Sequence, residues 1–143
     1  MPSSSIPVLK SNLQALLAAR PNLANVQISY GAPLPDPSRE FIWIADVHGT
    51  EDWMAMAVKQ EDYSLDVVIN VTVEGPDQQA ATERCFVLRD EIETVLLADT
   101  SVNGAVMTAK LGGAVDLVEL VSNDGLTRGA DLTVRVVVMN RIS

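Results

Sequence analysis

Two stretches of the chain repeat apolar residues at the spacing of a helix. The first stripe is Leu9, Leu13, Leu16 and Leu17. It predicts a helix over Ile6–Ala19, with the Ser5 hydroxyl as its N-cap and Pro21 just beyond its end. The second stripe is Ala81, Cys85, Leu88, Ile92, Val95 and Leu96. It predicts a helix over Asp77–Leu97, whose first turn contains Asp77, where the helix dipole favours negative charge.

Most of the remaining chain shows the pattern of strands, in which apolar and polar residues alternate. The predicted strands are Val26–Tyr30, Glu40–Val47, Tyr63–Glu74, Val106–Lys110, Ala114–Val121 and Ala130–Arg141. In the second of them, alternation places four residues on one face: Phe41, Trp43, Ala45 and Val47. Three prolines predict an irregular loop over Gly31–Glu40, and Ser122–Gly125 has the composition of a tight turn.

The order of these elements predicts an α+β fold. We expect a mixed, mostly antiparallel sheet with two helices packed on one face and an extended hairpin or arm. With 143 residues and no linker-like segment, the chain is expected to form one domain over residues 1–143.

The segment His48–Asp62 does not fit this pattern, because acidic residues surround an apolar centre. The apolar centre contains Trp53, Met54, Met56 and Val58. Tryptophan and methionine are enriched in interface cores, so this run is a candidate arm that contacts another subunit. The alternative is an internal strand with Trp53 in the core. The last strand, which contains Arg141, could also leave an open sheet edge that pairs with another chain.

The composition narrows the choice of partners and compartment. The formal net charge of −9 opposes tight binding to a phosphate backbone, although nucleic acid could pass close to an acidic wall. A single cysteine excludes an internal disulfide and suits a reducing compartment. We find no signal peptide and no apolar run of membrane-spanning length, so synthesis in the cytoplasm without membrane association is expected.

The residues that could carry chemistry each have a plainer explanation. The only histidine, His48, has no partner at metal-ligand spacing, although it could act as a base beside Asp46. Cys85 lies on the apolar stripe of a helix and is expected to be a core residue. Glu91 and Glu93 are expected on a solvated helix face. The sequence therefore predicts no catalytic residue, no cofactor site and no metal site, and a protein that is not an enzyme.

In its order of elements the chain resembles the tail-terminator, or tail-completion, proteins of long-tailed bacteriophages. The residues that carry the resemblance are Ala18–Pro21, Val26–Tyr30, Val67–Glu74, Glu83–Arg84, Asp90–Leu96, Asp99–Gly104 and Asn140–Ile142. They cover nearly the whole chain as a pattern of helix ends, strands and an acidic turn.

This resemblance implies a structural virion protein that forms a homo-oligomeric ring, usually a hexamer. Such a ring caps the tail tube at its head-proximal end, ends tail polymerisation and provides a surface for head docking. The implied partners are other copies of the chain, the major tail tube protein and a head-neck connector protein. Phage DNA would pass through the lumen without specific binding, and the host cytoplasm would be the place of assembly.

Three alternatives remain at this point. Neck or head-closure proteins are similar in size to tail terminators. A small ferredoxin-like ligand-binding module would need a closed apolar pocket with a few polar groups. An enzyme would need a site assembled from scattered Asp, Glu and Ser residues.

Overall fold

The computed structural model describes residues 4–31, 39–55, 58–122 and 125–142, with the backbone alone at residues 53–55. Two α-helices and five strands follow in the order α1 (Ile6–Ala18), β1 (Gln27–Ser29), β2 (Glu40–Ala55), β3 (Val58–Glu74), α2 (Gln78–Ala98), β4 (Thr108–Val121) and β5 (Thr127–Ile142). A short 3-10 helix, Pro21–Leu23, lies between α1 and β1. No helix among these residues is long and apolar enough to span a bilayer.

The strands form one sheet in the order β1-β2-β3-β5-β4. Only the β1–β2 pair is parallel, and the other three pairs are antiparallel. Both helices pack on one face of this sheet, where every second residue from Tyr63 to Val71 on β3 and from Ala130 to Val138 on β5 is apolar and buried. The predicted α+β fold, with its mostly antiparallel sheet and two helices, is confirmed.

The core follows from the two periodicities in the sequence. On the helices it contains Leu9, Leu13, Leu17, Ala81, Cys85, Leu88, Ile92, Val95 and Leu96. The central strands contribute Ile42, Ile44, Leu65, Val67, Ile69, Val71, Leu132, Val134, Val136 and Val138. The opposite face of the sheet is not covered by either helix.

Two β-bulges alter the predicted strands. In β2 the register shifts between Ile44 and Val47, so both of these side chains face the helices. The prediction that Val47 shares a face with Phe41 and Trp43 is therefore wrong, because the extra residue interrupts the alternation. In β4 the register shifts between Leu111 and Val115. The two strands predicted on either side of the Gly112–Gly113 pair are thus one bulged strand.

The ambiguous segment His48–Asp62 belongs to a long hairpin. β2 continues to Ala55, and β3 begins at Val58, so the two strands pair as far as Ala55 and Val58. On its other side, β3 pairs with β5 from Lys59↔Ile142 onward. The prolines in residues 32–38 and the turn residues 123–124 lie outside the described residues.

The helix starts differ from prediction in their capping. Asp77 is the N-cap of α2 and accepts a 2.9 Å hydrogen bond from the Ala80 N–H, so it precedes the first turn. Ser5 is the N-cap of α1, but its hydroxyl makes no capping bond. That hydroxyl instead donates a 2.8 Å hydrogen bond to Glu61 Oε1 on β3, which joins the start of α1 to the sheet.

Candidate functional site

The most conspicuous surface feature is the outer half of β4, which we call the β4 edge, residues 115–121. β4 is the last strand of the sheet, and the structure shows no strand beyond it among the described residues. The edge exposes five large apolar side chains: Val115, Leu117, Val118, Leu120 and Val121. Exposed edges of this kind pair readily with another chain unless they carry charges or proline. The β4 edge carries only Asp116 and Glu119 as charges.

Both faces of the β4 edge are apolar. Val115 and Leu117 pair with the buried Val134 and Leu132, so they lie on the helix side of the sheet. Glu119 is on the same side, where its carboxylate accepts a 2.9 Å hydrogen bond from the Thr82 hydroxyl of α2. Val118 lies on the uncovered side, opposite Asp131. A strand with apolar groups on both faces resembles a central strand more than a solvated edge.

Every second residue of the β4 edge directs its backbone N–H and C=O groups away from β5. Ser122 donates its N–H to the Thr127 carbonyl oxygen, 3.2 Å, which makes this a hydrogen-bonded pair. Such pairs alternate along an antiparallel ladder. The register then directs the N–H and C=O groups of Leu117 and Glu119 away from β5.

A second open edge lies on the opposite side of the sheet. β1 covers β2 only at Phe41–Trp43, so β2 has no neighbouring strand on its outer side from Val47 to Ala55 among the described residues. We call residues 47–55 the β2 edge. One subunit therefore presents two open edges, at opposite sides of its sheet.

The interface residues predicted from the sequence lie near the β2 edge. The backbone of Trp53 and Met54 is in β2, and Val58 begins β3 half-buried. Arg141 is exposed on β5, opposite Gln60 of β3. β5 lies between β3 and β4 in the sheet, so the prediction that the last strand is an open edge is wrong. Met56 lies outside the described residues. The structure thus gathers the described members at one end of the sheet, and their role in an interface remains a prediction.

Sequence reasoning missed the β4 edge. The signal was present in Val115–Val121, where apolar residues occupy both alternation phases and only two acidic residues interrupt them. Strict alternation would have indicated one wet face. Its loss in Val115–Val121 indicates a strand without a wet face, which the structure nevertheless leaves exposed.

A buried carboxylate, Glu61, was also missed. It lies in phase with Tyr63 and Leu65, on the helix side of β3, and is fully buried. Its two oxygens accept hydrogen bonds from Ser4 Oγ at 2.6 Å, from Ser5 N and Oγ at 3.0 and 2.8 Å, and from Asn140 Nδ2 at 3.3 Å. An acidic residue at a core phase of a strand was the available signal.

These hydrogen bonds keep the Glu61 carboxylate ionised. Burial alone would raise its pKa, but the hydrogen bonds from Ser4, Ser5 and Asn140 outweigh it and lower the pKa from 4.5 to about 2. The neighbouring Tyr63 hydroxyl lies 2.9 Å from Ser5 Oγ, and burial raises the pKa of Tyr63 to about 12. The cluster is fully bonded and joins α1, β3 and β5, so its arrangement is that of a structural anchor.

His48 has acidic neighbours on the uncovered face of the sheet. Ligand atoms of Asp46, His48 and Asp66 lie within 4.8 Å of one another, and His48 Nε2 is 3.6 Å from Asp66 Oδ2. This set could offer one nitrogen and two oxygens to a divalent ion. However, Arg135 Nε lies 3.3 Å from Asp66 Oδ1 and already supplies a cation there. His48 lies within β2, which continues to Ala55 and does not end at Val47 as the sequence predicts.

Cys85 is a core residue, as predicted. Its side chain is fully buried, and its Sγ donates a 3.4 Å hydrogen bond to the Ala130 carbonyl oxygen. Burial raises the pKa of the Cys85 thiol to about 12. Because the thiolate is the reactive form, Cys85 cannot serve as a nucleophile in the folded protein.

We therefore expect no reaction of native Cys85 with a thiol reagent at neutral pH. Labelling with 5,5′-dithiobis(2-nitrobenzoate) should reach one equivalent only after unfolding in guanidinium chloride. Rapid labelling of the native protein would contradict the burial of this side chain.

Two clefts of the described surface are open to solvent. One, of about 500 Å³, is lined by residues that include Ser4, Asn140 and Arg141. A second, of about 290 Å³, lies between α2 and the start of β4. Neither is the closed apolar pocket that a small-molecule module requires.

The charged side chains on the uncovered face of the sheet are mostly acidic. The register places these carboxylates on it: Asp46, Asp52, Asp62, Asp66, Glu74, Asp116 and Asp131. The bases on the same face are Lys110, Arg135 and Arg141 on the strands, together with Arg39, which is ion-paired with Glu74. The carboxylates outnumber the bases, so this face would repel a polyanion.

Comparison with solved structures shows that this architecture also occurs in another protein. A chain in the structure titled "Virion of native gene transfer agent (GTA) particle" matches over 92% of this chain and 95% of its own length, with a TM-score of 0.53 and 11% sequence identity. The two chains share a fold. No protein-family model matches the sequence. A search of curated proteins likewise finds no match.

Proposed function

We propose that this chain is a structural virion protein that forms a ring, a hexamer, at the head-proximal end of a tail tube. The ring ends polymerisation of the tube and offers the surface on which the head docks. The observation that carries the proposal is the shared fold with a chain of a gene transfer agent virion, which extends over nearly the full length of both chains.

The surfaces of the subunit support an assembly role. Two open sheet edges on opposite sides give each copy two different contact patches, as a ring requires. The acidic uncovered face suits a channel wall through which DNA passes without being bound. Among the described residues, the candidate chemical groups are either buried, as Cys85 is, or already ion-paired, as Asp66 is. The protein is accordingly proposed not to be an enzyme.

The partners under this proposal are other copies of the chain, the major tail tube protein and a head-neck connector protein. The site of action is the virion tail, after assembly in the host cytoplasm. A neck or head-closure protein is the alternative role, in which the chain would bind the connector and not the tube.

The test is a capping experiment. Tubes polymerised from the major tail protein of the same particle should stop growing when the purified chain is added, and electron microscopy should show a ring at one end of each tube. Tubes that continue to elongate without added density would overturn the capping role. Binding to the connector but not to tubes would favour the head-closure role.

A further inference from the structure

We infer that copies of this chain join head to tail through their sheets, with the β4 edge of one copy paired antiparallel to the β2 edge of the next. The inference rests on the proposed ring and names the contact that would build it. The partner at this surface is a second copy of the chain.

The strand directions fit this pairing. β2, β3, β5 and β4 alternate in direction, so β2 and β4 run antiparallel to each other within one sheet. When two copies stand side by side in the same orientation, β4 of the first meets β2 of the second in the antiparallel sense. The helices of both copies then lie on the same side, and the apolar Val115 and Leu117 continue the helix-side layer.

The two edges are offset along the strands. Through the ladder, Leu117 is level with Ile69 of β3, whereas Glu51 is level with Glu61, eight positions away on the same strand. At about 3.3 Å per residue this offset is roughly 26 Å, and the four-strand repeat β2-β3-β5-β4 at about 4.8 Å per strand spans roughly 19 Å. Pairing the edges therefore tilts the strands by about 55° from the ring axis. Closed barrels have strand tilts of about 35–45°, so a ring built through this contact has strands more inclined than those of a small barrel.

Other pairings between copies would leave more backbone N–H and C=O groups without a hydrogen-bond partner. A symmetric contact between two β4 edges would give a closed dimer and leave both β2 edges open. The outer side of β1 would offer the neighbour only the three residues Gln27–Ser29. The β2 edge provides Val47–Ala55, which is long enough to pair with all of Val115–Val121.

A matched pair of substitutions tests the contact. Glu119 on the β4 edge and Glu51 on the β2 edge both direct their N–H groups away from the sheet. For Glu51 this follows from the β2–β3 ladder. The Thr72 N–H donates a 2.8 Å hydrogen bond to the Arg39 carbonyl oxygen, and hydrogen-bonded pairs alternate from there along β3. Proline is tolerated at such positions within a subunit but blocks pairing with another strand. Glu119→Pro and Glu51→Pro therefore close one edge each. Glu119→Lys and Glu51→Lys replace them if a proline variant fails to fold, and Val87→Lys on the exposed face of α2 is the control.

Each blocked variant should associate with the other variant but not with itself. Each alone should be a monomer by size-exclusion chromatography with light scattering, at concentrations where wild type and Val87→Lys form rings. An equimolar mixture should give a heterodimer and nothing larger, since one β4 edge and one β2 edge remain.

Other outcomes separate the inference from the proposed function. A homodimer of Glu51→Pro would show symmetric β4 contacts and overturn the inference. Rings that persist in both blocked variants would overturn it while leaving the capping role intact. Wild-type protein that forms no ring, either in solution or on tail tubes, would overturn the capping role and the inference together.

Discussion

Replacing Glu61 with alanine will lower the free energy of unfolding by about 3 kcal/mol. Its carboxylate is buried and accepts hydrogen bonds from Ser4, Ser5 and Asn140, so truncation leaves these donors unpaired. The lowered pKa of Glu61 indicates a stabilising effect of the same sign. Guanidinium chloride unfolding followed by circular dichroism measures it, and we expect a loss of roughly 10 °C in Tm.

The control is Glu51→Gln, because Glu51 is the direct cross-strand neighbour of Glu61 on the same face. Its ion pair with Lys59, at 3.3 Å, is partly exposed, so the substitution should cost less than about 1 kcal/mol. Equal losses in the two variants would show that Glu61 is not an anchor.

The stabilising effect of Glu61 should also depend on pH in a defined direction. Its pKa is lower in the folded state, so the contribution is complete above pH 4.5 and declines as pH falls towards about 2. The difference in stability between wild type and Glu61→Gln should shrink over that interval. A difference that grows on acidification would contradict the bonded, charged state.

Gly49→Ala is the second substitution with a large expected effect, a loss of about 2–3 kcal/mol. Gly49 faces Tyr63 across the β2–β3 ladder, and a Cβ at this position would overlap the Tyr63 Cβ and the Asp62 carbonyl oxygen. These atoms belong to or adjoin the backbone, so relief requires a shift of the strand. Thermal unfolding should show a Tm lower by about 5–10 °C.

Gly113→Ala provides the comparison, since an added Cβ there meets no atom within 4 Å. It should change stability by no more than about 0.5 kcal/mol. If both alanine variants behave alike, close packing at Gly49 is not the cause.

The helices and most strands could be predicted because their periodicity is uninterrupted. Leu9, Leu13 and Leu17 are all in the core, as the helical stripe indicates. The bulges could not be predicted, since an extra residue shifts the phase without changing the residue types on either side. The extent of the β2–β3 hairpin was hidden for a related reason. Glu61 is acidic at a position where the strand pattern calls for an apolar residue, and only tertiary contacts with Ser4 and Ser5 make that acceptable.

The candidate site was harder to predict than the fold. Exposed apolar residues of β4 look like core residues in the sequence, and only the strand order shows that no strand within the described ranges covers them. His48 and Asp66 are far apart in sequence and meet through the register of β2 and β3. The predicted interface residues Trp53 and Val58 do lie together at the tip of one hairpin, which local sequence proximity already implied.

The two unlike edges have a consequence for how a ring would be completed. Any open row of copies, however long, ends with one unpaired β4 edge and one unpaired β2 edge. Adding a copy to the row fills one edge and exposes another of the same kind, so growth alone never removes the exposed apolar strand. Only the contact that joins the last copy to the first removes both at once. Assembly should therefore be cooperative, with complete rings and free subunits dominating over partial arcs at equilibrium.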